Sequence, residues 1–245
     1  MARGEKARSP RSGAGRSRAG GEAAAPRPRG GASANEAVRD RILASALALF
    51  ARSGFEGTGI SQIAREAGVA SPLVYYYFAD KDELWRAAAK FAIGDWGELA
   101  HMTLKELRDA DPVTRLKVLI RRLIYFSAQN REFSHMVMNE AGAGHERMIW
   151  LIDHHIRPLH ETARSALEEA VAQGALKDVP PAFFLPFLIG GITRFVNSRQ
   201  VVQALYDADP LDRTMVDAFA DFVIDLLFDG LASRASPQAD RRAGG

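Results

Sequence analysis

The chain has 245 residues, 47% of them hydrophobic, a formal net charge of +2 and no cysteine. That is apolar material enough for one large or two modest domains, and it excludes a disulfide framework, a thiolate nucleophile and a cysteine metal site. The richest apolar run, Ala182 to Ile192, contains Pro186 and is too short to span a bilayer; with no signal-peptide pattern at the start, a cytoplasmic protein with no membrane partner is expected.

Residues 1–34 are largely Gly, Ala, Ser, Pro and Arg. Eight basic side chains stand against Glu5 and Glu22, a local charge of +6, which leaves about −4 for the remainder. With so little to bury, the segment is expected to be a disordered basic arm. Two readings stay open: an arm that follows DNA phosphates or enters a minor groove, or a solubilising tail.

Periodicity then takes over. Val38, Ile42, Leu43, Ala46, Leu49 and Phe50 form a stripe that predicts a first helix over about 35–53. Ser33 and Glu36 have capping-box spacing at its start, and Gly54 ends it. Thr58 is a predicted cap for a short second helix, with Ile60, Ile63, Ala64 and Ala67 on one face. Gly68 sits where a left-handed residue closes a helix. Ser71 is the next predicted cap and Pro72 the first residue of a third helix. Asp80 to Glu83 has the spacing of another capping box and opens a fourth. Two short helices joined by a glycine turn make a helix-turn-helix.

The third helix is the candidate reader of DNA, because a recognition helix enters the major groove by its N-terminal residues. Val74 and Phe78 are expected to face inward, and Pro72, Leu73, Tyr76 and Tyr77 outward. Three successive tyrosines cannot all be core, since consecutive helical residues point apart. Their hydroxyls suit phosphates, and Leu73 or Pro72 suits a thymine methyl. Lys81, in the first turn of the fourth helix beside free backbone N–H groups, stands in a natural place for a phosphate. The expected DNA-contacting set is Thr58, Ser71, Pro72, Leu73, Tyr75, Tyr76, Tyr77 and Lys81. Residues 71–78 hold no Arg, Lys, Asn or Gln, so bidentate guanine reading is unavailable to this helix and shape, methyl contacts and the arm should contribute more.

The run over 41–88, about a fifth of the chain, resembles the N-terminal domain of the tetracycline-repressor (TetR-type) regulators. The resemblance is carried by Ile42, Leu43, Ala46, Leu49, Phe50, Gly54, Phe55, Thr58, Ile63, Ala64, Ala67, Gly68, Val69, Tyr75, Phe78, Lys81 and Leu84. Gly59 and Ala70 depart from the pattern, where a second threonine and a Ser/Thr are frequent. The resemblance implies a dimeric DNA-binding regulator with a ligand-binding C-terminal domain. It also implies that Lys81 contacts the DNA backbone and that the last two helices form the dimer contact.

Beyond Lys90 everything reads helical, giving an all-α chain of about nine helices. The fourth helix is expected to continue through Trp96 to Met102, weakened by Gly94 and Gly97. Others are expected over about 111–129, 130–140, 145–173 (kinked by Pro158), 178–205 and 212–233. The expected organisation is an arm over 1–34, a three-helix helix-turn-helix DNA-binding domain over 35–95, a helical ligand-binding and dimerisation domain over 96–234, and a tail over 235–245. The expected dimer face holds Phe184, Phe187, Gly191, Phe195, Phe219, Phe222 and Leu226, though a helix fully buried within one monomer would show the same pattern. Ligand candidates are Trp96, Met102, Phe126, Phe133, Met136, Trp150, His154 and Arg194, against the plainer reading that periodic aromatics and methionines fill a core.

His154 and His155 are adjacent and point about 100° apart, unlike the i, i+4 metal clamp, so no metal site is expected. No cofactor is expected either. The sequence contains no phosphate loop of the Gly-x-x-x-x-Gly-Lys-Ser/Thr form, no Gly-x-Ser-x-Gly elbow and no His-Glu-x-x-His, so an enzyme is not expected. The expected partners are double-stranded DNA, a second copy of the chain and an unidentified small-molecule effector. The expected function is a ligand-responsive homodimeric repressor that reads a palindromic operator and is released by a small, mostly apolar effector. Two alternatives remain: a sequence-nonspecific DNA-binding protein working through its basic arm, and a helical ligand carrier or enzyme with a vestigial helix-turn-helix.

Overall fold

The computed structural model describes residues 34–94, 96–141 and 146–231, with only the backbone of 98–101, 104 and 231. The arm, the Ser33 cap and the tail expected from the sequence lie outside these. Among the described residues there are twelve α-helices, one π-helical turn and no β-strand. The helices are α1 (Ala34–Ser53), α2 (Ile60–Glu66), α3 (Ser71–Tyr77), α4 (Lys81–Ile93), α5 (Trp96–Glu106), α6 (Pro112–Gln129), α7 (Arg131–Ala141), α8 (Glu146–Leu151), α9 (Arg157–Ala172), α10 (Pro181–Val196), α11 (Arg199–Tyr206) and α12 (Arg213–Leu231). None of the described helices is long and apolar enough to cross a membrane, and no group of three His, Asp or Glu among the described residues is disposed to hold a metal.

Three long helices expected from the sequence are each broken, for local reasons. The fourth stops at Gly94, whose φ of +53° leaves the helical region; only glycine adopts such a backbone without strain. The helix over 145–173 is interrupted by a π-helical turn at Ile152–Ile156, where Arg157 N–H donates to Ile152 C=O. Pro158 follows directly. It has no N–H to donate and its ring crowds the carbonyl four residues back, so the ladder widens ahead of it rather than simply bending. The helix over 178–205 divides at Asn197–Ser198 into α10 and α11.

Two cores result. The first joins Ile42, Leu43, Leu49 and Phe50 of α1, Ile63 of α2, Val74 of α3, and Leu84 and Trp85 of α4. It also takes in Met136 of α7 and Leu151 of α8. The head is therefore closed from beneath by helices that lie beyond residue 95 in the chain. Asn139 of α7 adds a polar tie, donating to the carbonyls of Phe50 and Ala51 at 3.1 and 3.0 Å. These are C-terminal carbonyls of α1, where intrahelical partners run out. The second core gathers α6, α9, α10 and α12 around Ile124, Leu167, Leu185, Ile192 and Ala220. Arg121 to Asp221 at 2.6 Å, and Tyr125 to Asp217, pin α6 to α12. The hydrogen bond to Asp217 holds the Tyr125 phenol above its usual pKa.

Candidate nucleic-acid interface and effector cavity

The turn between α2 and α3 is built by backbone chemistry. Gly68 has φ +66°. Its N–H donates to Arg65 C=O at 3.2 Å, and Val69 N–H donates to Ala64 C=O at 2.9 Å, the paired bonds of a Schellman closure. Thr58 does not cap α2 as expected. It is 1% exposed, and its hydroxyl donates to Gly54 C=O at 2.7 Å and Leu49 C=O at 3.2 Å. Gly59 takes the cap position. Thr58 thus ties the α1–α2 turn and its side chain is withdrawn from any DNA surface. Ser71 is likewise not a cap. Ala70 is the N-cap of α3, which places Ser71 and Pro72 in the first turn.

This arrangement decides which face of α3 is offered. Val74 is fully buried and Phe78 nearly so. Pro72, Leu73, Tyr75 and Tyr76 face outward, Tyr76 being 78% exposed. Tyr77 is half-buried rather than outward: its hydroxyl donates to Asn35 C=O at 3.3 Å, and its ring meets Tyr76 edge-on at 5.2 Å. Beside α3, Asp80 caps α4 by accepting from Glu83 N–H at 2.7 Å, while the Glu83 carboxylate accepts from Ala79 N–H at 2.6 Å. The expected reciprocal cap forms, reaching one residue further back. Lys81 is half-buried, its Nζ 4.2 Å from the centroid of the Phe55 ring.

The body contains a cavity of about 90 Å3 between α5, α6, α9 and α10. Trp96, Leu119, Ile120, Leu123, Phe184 and Leu188 line it, and among the described lining residues polar side-chain groups are limited to the His160 imidazole and the Trp96 indole N–H. Trp96 is the one expected ligand residue on this wall. Phe126 stacks on Trp96 at 4.7 Å and Phe133 meets Phe126 edge-on at 6.0 Å, so those two back the wall from outside.

The other expected ligand residues go elsewhere. Met136 fills the head core, and Trp150 packs edge-on against Trp85 at 6.4 Å. His154 is exposed and stacked on Trp150, and Met102 and Arg194 are exposed. His155 is held below its usual pKa, first by burial and then by the charges of His154 and Lys90. The leucines and isoleucines that line this cavity were not singled out from the sequence because they have the periodicity of ordinary core.

On the far side of α10 and α12, Phe183, Phe187, Phe222 and Leu226 are all more than half exposed. Phe184, expected in this face, points inward to the cavity, and its neighbour Phe183 points out. Phe195 and Phe219 stack on each other at 3.9 Å, and Gly191 has open space above it.

Residues 42–88 match the family model described as bacterial regulatory proteins, tetR family, and residues 115–239 match that of the tetracyclin repressor-like C-terminal domain. The chain is 33% identical over 82 residues to the HTH-type transcriptional regulator BetI of Serratia proteamaculans, a match covering 34% of this chain and 41% of that protein. It is 25% identical over 199 residues to the HTH-type transcriptional repressor NicS of Pseudomonas putida, covering 79% of this chain and 92% of NicS. Among solved structures, AibR in complex with isovaleryl coenzyme A and operator DNA is similar in fold, with a TM-score of 0.61 at 22% identity over 78% of this chain and 98% of AibR.

Proposed function

The chain belongs to the tetR family of bacterial regulatory proteins and is a DNA-binding transcriptional regulator; from that premise we propose that it acts as a homodimeric repressor released by a small apolar effector. The observation that carries the reading is the outward face of α3, with Pro72, Leu73, Tyr75 and Tyr76 presented beside Lys81. Two such heads, about 34–36 Å apart, fit successive major grooves of a near-palindromic operator. Repression rather than activation is supported by the likeness to NicS, which is named a repressor.

The exposed phenylalanines of α10 and α12 are the surface that a second copy would cover, since contiguous apolar patches on a soluble chain mark interfaces. Effector binding is assigned to the α5–α6–α9–α10 cavity. Its described wall favours an alkyl or aromatic group with a single polar atom facing His160. The likeness to AibR, crystallised with isovaleryl coenzyme A, supports a short branched acyl group as the part that enters. At about 90 Å3 the cavity is smaller than the engineered cavity of about 150 Å3 that admits benzene, so the effector widens it. That widening is the proposed source of the change in head spacing, limited by the effector's differential affinity for the two states.

Selection of bound sequences from random duplex DNA, with the full chain and with a chain starting at Ala34, tests the reading. A palindromic site enriched by both is expected. No enriched site from either, with binding that fades as salt rises, would overturn it in favour of the basic arm.

A further inference from the structure

Arg147, the second residue of α8, is 8% exposed and belongs to neither the α3 face nor the cavity. Its Nε donates to the Glu140 carboxylate at 3.2 Å and its Nη1 to the Asp82 carboxylate at 3.0 Å. Glu140, near the end of α7, is 3% exposed. Asp82 lies in the first turn of α4, directly after Lys81. The guanidinium carbon sits 3.5 Å from the Phe55 ring centroid, the same ring that carries the Lys81 ammonium at 4.2 Å. Phe55 in turn stacks on the fully buried Phe50 at 5.8 Å. One guanidinium therefore grips both things that locate Lys81: the residue that follows it and the ring beneath it.

Burying an arginine–glutamate pair is costly unless geometry and hydrogen bonding are good, and apolar residues would close the same space at least as well. The pair is better explained by what it orients. We propose that Arg147 is a positioning residue for DNA contact: planted in α8, it fixes the start of α4 and Phe55 and so holds the Lys81 ammonium where a DNA phosphate meets it. This rests on the reading of Lys81 as a phosphate contact.

Asp82 supplies a test of sign. A carboxylate near the DNA repels phosphates, so its removal alone strengthens binding. If its bond to Arg147 holds Lys81 in place, its removal weakens binding instead. Asp82→Asn leaves the buried Arg147–Glu140 pair intact, and the Asp82 side chain is 48% exposed, so the variant folds with a melting temperature close to the parent's.

The experiment measures affinity of the full chain for one duplex of fixed sequence across a range of salt, for Asp82→Asn, Asp82→Glu, Lys81→Met and the Asp82→Asn/Lys81→Met pair. Lys81→Met should lower the slope of log K against log salt by about 1. Asp82→Asn should weaken binding several-fold and lower the slope by a similar amount, Asp82→Glu should restore most of the loss, and the double variant should bind no more weakly than Lys81→Met. Tighter binding by Asp82→Asn, or losses that multiply in the double variant, overturns the proposal alone. A slope unchanged by Lys81→Met overturns the phosphate reading and this proposal with it.

Discussion

The head and the body of this molecule are closed to different degrees. The head completes its core within one chain. Trp85, Phe50, Ile42 and Leu84 are sealed by α7 and α8 from the other half of the sequence, and the aromatic side chains of α1–α4 left exposed are Tyr75 and Tyr76 of α3. The body buries one side of α10 and α12 and leaves the other side apolar and open. The head's core is thus complete within one chain, whereas the body keeps an uncovered apolar face, the one that the proposed second copy would cover.

The sharpest way to test that contrast is to damage each core. Trp85→Ala should destabilise the chain by about 3–5 kcal/mol, as large-to-alanine changes do at filled sites, measured by urea unfolding. Phe187→Asp should leave monomer unfolding nearly unchanged, because that ring is 72% exposed. It should instead cost about 2 kcal/mol or more of dimerisation, as a central apolar anchor does, read as a concentration-dependent shift in sedimentation. If Phe187→Asp unfolds the chain without altering its assembly, the open-body picture is wrong.

Gly94 lies at the seam between the two regions. Gly94→Ala should cost about 1–3 kcal/mol from its positive φ, and should also blunt the effect of effector on DNA affinity, since α4 and α5 meet there. An unaltered effector response would remove this joint from the signal path. Tyr76→Ala should lose about 1 kcal/mol of operator affinity, one hydrogen bond's worth, with no change in melting temperature.

The smallest effect concerns pH. Burial, then Arg131, holds His135 below its usual value of 6.5, and burial, then His154 and Lys90, does the same for His155. Each is kept neutral in the fold where the unfolded chain would take a proton. Stability is therefore intact above about pH 6.5 and declines as pH falls from there through the lowered folded-state values. His135→Gln with His155→Gln should flatten that decline.

The head was legible in the sequence because its signals are local. Gly54, Gly68, Pro72 and the Asp80–Glu83 pair each act within one turn, and the helix ends up to the start of α4 fall within a residue or two of the expected positions; the far end of α4 does not, since Gly94 stops it well short of Met102. Thr58 was misplaced by one residue because Gly57, Thr58 and Gly59 can each serve as a cap, and its hydroxyl is taken instead by the Gly54 and Leu49 carbonyls; Ser71 was misplaced by one because α3 starts from Ala70 with no side-chain cap bond. The body was less legible. Periodicity identifies an apolar face but not what covers it, so Phe184 and Phe183 exchange roles and Met136 belongs to the other core. Arg147 carried no signal at all, since its partners at 82 and 140 are brought to it only by folding.

The distribution of indole rings has a practical consequence. The chain has three tryptophans; Trp85 and Trp150 pack edge-on in the head, and Trp96 lines the cavity. The protein is therefore its own fluorimeter. Occupation of the cavity alters emission from Trp96, while rearrangement of the head alters the Trp85–Trp150 pair. With Trp150→Phe to thin the head signal, stopped-flow mixing can time the arrival of an effector against the response of the DNA-reading end, without attaching a dye.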